Sequence, residues 1–267
     1  FIIMSEQNYI DINRQSWNNR VDSHYDSDFY DVKGFIEGKT SINNEEMVLL
    51  GDVNGKSILH LQCHFGQDTL SLARLGANVT GVDLSDKAID RANELSNEIG
   101  VDARFICCDI YDLPLHLDEQ FDIVFTSYGT IGWFPDLDKW AGLISRYLKH
   151  SGKFVFIDFH PVLWMMDNDF IKFEYNYFKS DPIIESQTGT YAEKESDIQV
   201  TDVSWNHSLS EVMNCLMDQH LRMTHFKEYN YSLYNCFSHM EEFEKGKYRI
   251  KHLGEKLPMM YSLVFEK

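Results

Sequence analysis

Short apolar runs alternate with amphipathic segments between residues 57 and 160. Each apolar run is about the length of a strand, and each segment between them repeats apolar positions at helical spacing. Strands that alternate with helices in this way form βαβ units, so the pattern predicts an α/β fold with a mostly parallel sheet and helices on both faces. The predicted strands cover residues 57–61, 78–82, 103–108, 121–125 and 153–158, and the predicted helices cover residues 67–75, 86–99 and 137–148.

This rhythm breaks from residue 160 to about residue 206, where aromatic residues and methionines are frequent. Because the segment is too long for a connecting loop, it predicts an inserted aromatic lid, with a weak strand signal at 200–204. A helix at 209–219 and strands at 221–229 and 259–267 follow. Residues 1–56 are polar with scattered aromatics and predict a helical cap of short helices and loops. We therefore expect two parts, the cap at 1–56 and one domain at 57–267.

Composition narrows the partners of this 267-residue chain. Its 42 acidic and 24 basic residues give a net charge of −18, which repels phosphate backbones and argues against nucleic acid. Five cysteines without a CxxC pair favour a reducing, cytoplasmic setting. The histidines show no metal-binding spacing, and no apolar run is long enough for a membrane span. The first residues are too short for a signal peptide, and Met4 is the expected natural start.

The end of the first predicted strand leads into a loop at residues 60–66, where an open parallel sheet binds its ligands. The second strand ends in Asp83, whose two carboxylate oxygens can accept both hydroxyls of a ribose. The third strand ends before Asp109 and Ile110, which can take an adenine amino group and pack on its ring. These positions predict a nucleoside-type ligand.

Two classes of cofactor suit this layout. A dinucleotide carries a pyrophosphate and needs several glycines, whereas this loop has only Gly66, with Gln62, Cys63 and His64 where glycines would be wanted. S-adenosylmethionine carries no phosphate and needs hydrogen-bond partners for an ammonium and a carboxylate. The loop therefore favours S-adenosylmethionine.

Four motifs resemble those of the class I S-adenosylmethionine-dependent methyltransferases: ILHLQCHFGQDTLSLA at 58–73, GVDLS at 81–85, DIYDLP at 109–114 and FDIVF at 121–125. The chain looks most like a subgroup with an LHLQCHFGQDTL first motif and a later HPVLW. The resemblance implies a Rossmann-like, mostly parallel seven-stranded sheet with a C-terminal antiparallel strand. It also implies ribose binding by Asp83, adenine binding by Asp109 and Ile110, and approach of Gly66 to the methionine moiety.

The first motif departs from the usual pattern, which has an acid at the position of His60 and glycines at those of Gln62 and His64. Asp68 or a backbone carbonyl is the expected substitute for the missing acid, and His60 itself is expected to be a hydrogen-bonded core residue. Ser127 and Tyr128 follow the fourth strand at the mouth of the expected site. The residues expected to bind the cofactor are Gln62, Cys63, His64, Gly66, Asp68, Thr69, Asp83, Leu84, Ser85, Asp109, Ile110, Ser127 and Tyr128.

Catalysis has one candidate residue. His160 follows the fifth strand and, with an ordinary pKa near neutrality, could act as a general base; a hydrogen-bonded loop histidine is an equal alternative. Trp17, Tyr25, Trp133 and Trp164 are expected to line a substrate pocket, with packing in the core as the alternative. Cys107 and Cys108 are expected to be buried packing residues.

The sequence thus favours an S-adenosylmethionine-dependent methyltransferase that acts on a small molecule and releases S-adenosylhomocysteine. A non-catalytic module that binds this cofactor or a related nucleoside is the second hypothesis, because the first motif is altered. An NAD-linked oxidoreductase is the third. The sequence does not indicate the acceptor atom or the oligomeric state.

Overall fold

The computed structural model describes residues 6–267, with side chains from residue 8 onward, so the expected start at Met4 lies outside the described residues. The helices are α1 (Glu6–Tyr25), α2 (Val32–Ile36), α3 (Asn44–Leu50), α4 (Gln67–Arg74), α5 (Asp86–Ile99), α6 (Leu137–Tyr147) and α7 (Leu209–Asp218). The strands are β1 (Ser57–Leu61), β2 (Asn78–Asp83), β3 (Arg104–Cys107), β4 (Phe121–Ser127), β5 (Leu148–Phe159), β6 (Ile183–Thr188), β7 (Gln199–Ser204), β8 (Arg222–Tyr229), β9 (Met240–Glu244), β10 (Lys247–Ile250) and β11 (Met260–Glu266).

Seven strands form one hydrogen-bonded sheet in the order β3-β2-β1-β4-β5-β11-β8. Strand β1 runs parallel to β2 and β4, and β2 runs parallel to β3. The last strand, β11, is antiparallel to both β5 and β8. This topology confirms the predicted Rossmann-like, mostly parallel seven-stranded sheet with a C-terminal antiparallel strand.

The chain divides into two compact units. The first comprises residues 1–125 and 183–203, and the second comprises residues 126–182 and 204–267. In the first unit, β1 is almost entirely buried, which explains its continuously apolar sequence. In the second, Trp140 of α6 packs on the rings of Phe154 and Phe156 of β5, at 5.5 and 5.8 Å between ring centroids.

Several predicted elements differ from those observed. The region expected to hold only short helices begins with a single helix of 20 residues, α1. Strand β5 starts at Leu148, five residues before the predicted strand, and the half-buried or exposed residues directly after Leu148 lack an apolar pattern. The strand predicted at 200–204 exists as β7, but its partner β6 and the pair β9–β10 had no clear alternation. Strands β6 and β9 are largely exposed, so burial imposed no apolar pattern on them, and β10 has only four residues.

Within residues 6–267, no helix combines the length and apolar character needed to cross a membrane.

Candidate functional site

The loop between β1 and α4 has backbone conformations that are typical of glycine, although two of its non-glycine residues adopt them. Gln62 and His64 have φ angles of 56° and 50°, in the left-handed region that favours glycine. The intervening Cys63 donates its backbone N–H to the carbonyl of Val82 at 3.0 Å. The loop therefore keeps a glycine-type path beside the end of β2 while adding an amide and an imidazole.

Gly66 ends this loop in a place where a side chain has no room. Its φ is +79°, and a Cβ here would lie 2.7 Å from the ring of Phe105. Since α4 starts directly after Gly66, the glycine brings the beginning of the helix close to the sheet. Asp68, the expected substitute acid, lies half-buried in the first turn of α4.

Asp83 ends β2 and connects this strand to the loop. One carboxylate oxygen accepts the backbone N–H of His64 at 2.8 Å, and the other accepts that of Ser85 at 2.9 Å. The side chain is buried, and burial raises the pKa of its carboxyl to about 6, although backbone N–H groups oppose this rise. Two carboxylate oxygens offer about four acceptor positions, so Asp83 retains capacity for hydroxyl donors.

Ser85 caps α5 and also joins α1. Its hydroxyl accepts the N–H of Ala88 and donates to the side-chain oxygen of Asn18 at 2.6 Å. The amide of Asn18 in turn donates to Asp86 at 2.7 Å. The hydroxyl of Ser85 thus donates and accepts within the protein, so Ser85 positions the turn after β2, and the intervening Leu84 stays half-buried.

Asp109 and Ile110 follow β3, as expected. The carboxylate of Asp109 accepts the N–H of Tyr111 at 2.9 Å and caps a short 3-10 helix. Ile110 is buried, and Asp109 keeps some exposed surface. Cys108 is buried as expected, but the expectation for Cys107 was wrong, because its position at the end of β3, where the sheet ends, leaves it exposed.

His60 is the hydrogen-bonded core residue that the sequence indicated. Its Nδ1 lies 2.8 Å from the hydroxyl of Thr69, and its ring stacks on Phe125 at 4.9 Å. Burial lowers its pKa to about 3, so the imidazole is neutral. Thr69 was expected to bind the cofactor, but its side chain is completely buried and bonded to His60. We therefore leave Thr69 out of the proposed contacts.

Aromatic side chains from α1 and its following turn surround the loop. The ring of Trp17 meets His64 edge-on at 5.4 Å, and that of Tyr30 does so at 5.5 Å. The Tyr30 hydroxyl bonds to that of Tyr191 at 2.6 Å. Trp17 thus lies beside the loop, whereas Tyr25 packs on Phe65 in a cluster of apolar side chains.

His24 of α1 is a neighbour of the loop that the sequence did not single out. Its Nδ1 lies 3.2 Å from Nε2 of His64. Burial, the nearby His64 and Arg20 lower the pKa of His24 to about 2, and burial and Arg20 lower that of His64 to about 3. The two imidazoles are therefore neutral at physiological pH.

In the second unit, the turn after β4 is held by an acid that the sequence did not indicate. Asp158, buried at the end of β5, accepts the backbone N–H groups of Gly129, Thr130 and Ile131. Burial raises the pKa of its carboxyl. Tyr128 in this turn has a φ of 46° and donates its N–H to Ile157 at 2.9 Å. The only sequence signal was a lone carboxylate at the end of an otherwise apolar run.

His160 has both ring nitrogens engaged. Its Nδ1 accepts the N–H of Val162 at 3.2 Å, so the proton lies on Nε2, which faces a carboxylate oxygen of Glu228 at 3.0 Å. Burial lowers its pKa although Glu228 opposes this. The arrangement favours the second of the two interpretations, a hydrogen-bonded loop histidine, because no lone pair of the ring remains for a base.

The two tryptophans of this unit are also held by the protein. The indole N–H of Trp133 donates to the carbonyl of Gly129 at 2.6 Å. Trp164 packs on the rings of Phe159 and Phe237 within an apolar cluster. Ser127 ends β4 and is half-buried. The predicted roles of these residues toward cofactor or substrate stay predictions.

Among the described residues, no group of three or more histidine, cysteine, aspartate or glutamate side chains could hold a metal ion.

Comparison with known proteins shows which proteins this chain is similar to. Residues 59–156 match the family model described as a methyltransferase domain. A sterol 4-C-methyltransferase of Caenorhabditis elegans is 26% identical over 159 residues, which are 58% of this chain and 46% of that protein. An uncharacterised methyltransferase of Synechocystis is 36% identical over 114 residues, 42% of this chain and 51% of that protein. The chain thus spans about half the length of these curated relatives.

Solved structures share the fold. A geranyl diphosphate C-methyltransferase from Streptomyces coelicolor, solved with Mg²⁺, geranyl diphosphate and S-adenosyl-L-homocysteine, has a TM-score of 0.61 with 16% identity, covering 97% of each chain. The family match thus identifies residues 59–156 as similar to a methyltransferase domain, and the solved structure shows that the fold is shared. The predicted LHLQCHFGQDTL subgroup stays a prediction.

Proposed function

We propose that the protein is an S-adenosylmethionine-dependent methyltransferase that acts on a small-molecule acceptor. The observation that carries this proposal is the buried carboxylate of Asp83, joined to the loop after β1 through the backbone N–H of His64 at 2.8 Å. This junction lies inside the segment that matches a methyltransferase domain.

The residues at this junction fit a nucleoside cofactor. Among the described residues, Asp83 accepts hydrogen bonds only from backbone N–H groups, so no basic side chain competes for its oxygens. A buried carboxylate without a cationic partner is costly, and the two hydroxyls of a ribose supply the donors it lacks. Asp109 and Ile110 would hold the adenine. Gln62, Cys63, His64 and Gly66 would border the methionine moiety.

The sulfonium of S-adenosylmethionine supplies an electrophilic methyl group when the cofactor is bound. The protein's own residues then have to bind, orient and shield. The acceptor atom must lie in line with the methyl carbon and the sulfur. Such positioning can lower the activation free energy by several kcal/mol, up to about 10. The aromatic side chains of Trp17 and Tyr30 beside His64 would exclude water from this part of the first unit.

A small molecule is the acceptor class that the chain's charge supports. The net charge of −18 disfavours nucleic acid, and the free cysteines support a reducing, cytoplasmic setting. The names of the relatives, a sterol methyltransferase and a phosphoethanolamine N-methyltransferase of wheat, both concern small molecules. We propose no single acceptor from them.

Replacing Asp83 tests the cofactor assignment. Asp83→Asn keeps the size of the side chain but replaces one acceptor oxygen by a donor, so we expect S-adenosylhomocysteine to bind at least about tenfold more weakly. Isothermal titration calorimetry measures this affinity. Asp90→Asn, the same change on the exposed side of α5, is the matched control and should bind like the wild type.

Unchanged affinity in Asp83→Asn would refute the ribose assignment. Binding of NADH, detected by its fluorescence, together with no binding of S-adenosylhomocysteine at millimolar concentration, would replace the proposal by a nicotinamide-linked function.

A further inference from the structure

His24 and His64 form a hydrogen-bonded pair whose two outer nitrogens are unused. Nδ1 of His24 and Nε2 of His64 are 3.2 Å apart. The other two nitrogens, Nε2 of His24 and Nδ1 of His64, are buried and make no hydrogen bond to any residue that the structure describes. Leaving a buried polar atom unpaired costs about 1–3 kcal/mol, so each outer nitrogen favours a hydrogen bond from a ligand.

Because of the shared hydrogen bond, one of the two outer nitrogens is a hydrogen-bond donor and the other is an acceptor. A neutral imidazole carries one proton, so only one of the two facing nitrogens is protonated. If the proton lies on His64 Nε2, then His64 Nδ1 is a free acceptor and His24 Nε2 is a donor. If it lies on His24 Nδ1, both roles are reversed. When both rings change tautomer together, the outer nitrogen of His64 changes from acceptor to donor.

The surroundings keep this pair neutral. The charge of Arg20 in α1 disfavours protonation of both rings, and Arg20 itself is paired with Asp202 of β7 at 2.5 Å. The phenols of Tyr30 and Tyr191 bond to each other, and Asp83 contacts the backbone of His64 rather than its ring. None of these groups offers a carboxylate to either imidazole, in contrast to Glu228 beside His160.

The position of each histidine suggests its part. His64 belongs to the loop that borders the proposed cofactor site and is only half-buried, whereas His24 lies behind it with no exposed surface. We propose that the pair accepts the proton of a protic methyl acceptor with a free electron pair, such as a hydroxyl, with His64 contacting the acceptor and His24 as a positioning residue behind it. This inference rests on the proposed methyltransferase function.

The step balances in atoms and charge. The acceptor atom forms its bond to the methyl carbon as the carbon–sulfur bond breaks, and the electron pair of that bond stays on sulfur. The proton of the acceptor passes to Nδ1 of His64, and the Nε2 proton of His64 passes to Nδ1 of His24. One positive charge leaves the sulfonium and one arrives on the imidazole pair. The pair accepts the proton despite its low pKa, because a hydroxyl oxygen that has gained a methyl group is a much stronger acid than the imidazolium.

Nuclear magnetic resonance tests the pair without turnover. Long-range ¹H–¹⁵N spectra of histidine-labelled protein with S-adenosylhomocysteine should show both rings neutral between pH 5 and 8, with one proton on the two facing nitrogens. His24→Phe keeps a ring but removes the partner, so the tautomer of His64 should change. A His64 that titrates near its ordinary pKa in the wild type, or keeps its tautomer in His24→Phe, would refute the pairing.

Kinetics test the role in proton transfer. His24→Asn retains a polar group near the position of Nδ1 but cannot relay a proton. With S-adenosylmethionine and a small-molecule extract, we expect this variant to form S-adenosylhomocysteine at a rate roughly 100-fold lower or more. The Kd of S-adenosylhomocysteine should stay within about twofold of the wild type. Its rate should recover at high pH, where the acceptor ionises by itself. His150→Asn, at an exposed position of β5, is the control.

The possible outcomes distinguish a failure of the proton relay from a failure of the proposed methyltransferase function. Turnover by the wild type that His24→Asn leaves unchanged, in rate and pH profile, would refute the relay alone. So would a product methylated at an atom that carried no proton, such as a carboxylate oxygen. Binding of S-adenosylhomocysteine without any turnover by the wild type would refute the methyltransferase function, and the relay with it.

Discussion

At the scale of single residues, the loop after β1 shows how a motif can vary without losing its backbone. Gln62 and His64 occupy positions expected for glycine and adopt the left-handed φ angles that glycine would take. Such conformations cost a non-glycine residue about 1 kcal/mol or more. The bond from His64 N–H to Asp83 helps to hold one of them. The substitution thereby places an imidazole where a usual motif has none.

The raised pKa of Asp83 predicts how cofactor affinity depends on pH. Its folded pKa is about 6 against an ordinary value of 3.8, so the carboxyl protonates as the pH falls through 6. Ribose hydroxyls donate to the ionised form, so S-adenosylhomocysteine should bind about tenfold more weakly at pH 5 than at pH 7.5. His24 and His64, with pKa values of about 2 and 3, do not titrate in this window.

Calorimetry between pH 5 and 8 measures this dependence. Asp83→Asn has no carboxyl at that position, so its weaker affinity should be flat over the same range. A wild-type affinity that is equally flat would contradict the assignment of Asp83 to the ribose.

The sequence predicted the position of a site residue where a general structural rule applied to it. The position of Asp83 followed from the rule that ligands meet the carboxyl ends of parallel strands. His24 had no such rule, because its partner His64 lies 40 residues away and only the folded chain brings the rings together. The equal alternatives for His160 could be separated only by the hydrogen bonds of both ring nitrogens.

At the scale of elements, the pattern of buried residues in α1 explains why the sequence did not predict a single long helix there. Most of its buried side chains are polar and recur at helical spacing. Only Tyr9 and Val21 are buried and apolar, so hydrophobic periodicity did not reveal the helix. These buried polar residues are Asn13, Ser16, Arg20 and His24. Their partners lie far along the chain: the amide of Asn13 exchanges two hydrogen bonds of 2.9 Å with the backbone of Val203 in β7. Tertiary hydrogen bonds from these polar side chains thus contribute much of what holds the helix in place.

Arg20 of α1 and Asp202 of β7 form a largely buried ion pair, so removing it should loosen the contact between α1 and β7 within the first unit. Arg20→Met keeps the aliphatic stem but leaves the mostly buried Asp202 without its cation. We expect the free energy of unfolding to fall by about 3 kcal/mol. Urea denaturation at pH 7 measures this loss.

Arg14 provides the matched control on the same helix. Its ion pair with Asp11 is exposed, so Arg14→Met should change the free energy of unfolding by less than about 1 kcal/mol. Equal losses in the two variants would mean that the buried pair does not stabilise the contact between α1 and β7.

At the scale of the whole molecule, the sequence predicted the sheet well and the additions poorly. Continuously apolar strands and capped helices from residue 57 to residue 160 specify the parallel part of the sheet, because burial on both faces imposes a clear pattern. The largely exposed strands β6 and β9 carry no such constraint. The segment predicted as one insertion contributes to both compact units, since residues 183–203 group with the N-terminal part of the chain. Long-range grouping of this kind has no local signal.

The most direct test of the proposed function is the conversion of S-adenosylmethionine to S-adenosylhomocysteine by the purified wild-type protein. The assay uses a methyl-labelled cofactor with a fractionated small-molecule extract, and mass spectrometry detects both the cofactor product and the labelled acceptor. The proposal predicts equal amounts of S-adenosylhomocysteine and of one labelled small molecule, and loss of both in Asp83→Asn. Tight binding of S-adenosylmethionine without transfer of its methyl group to any fraction would contradict it.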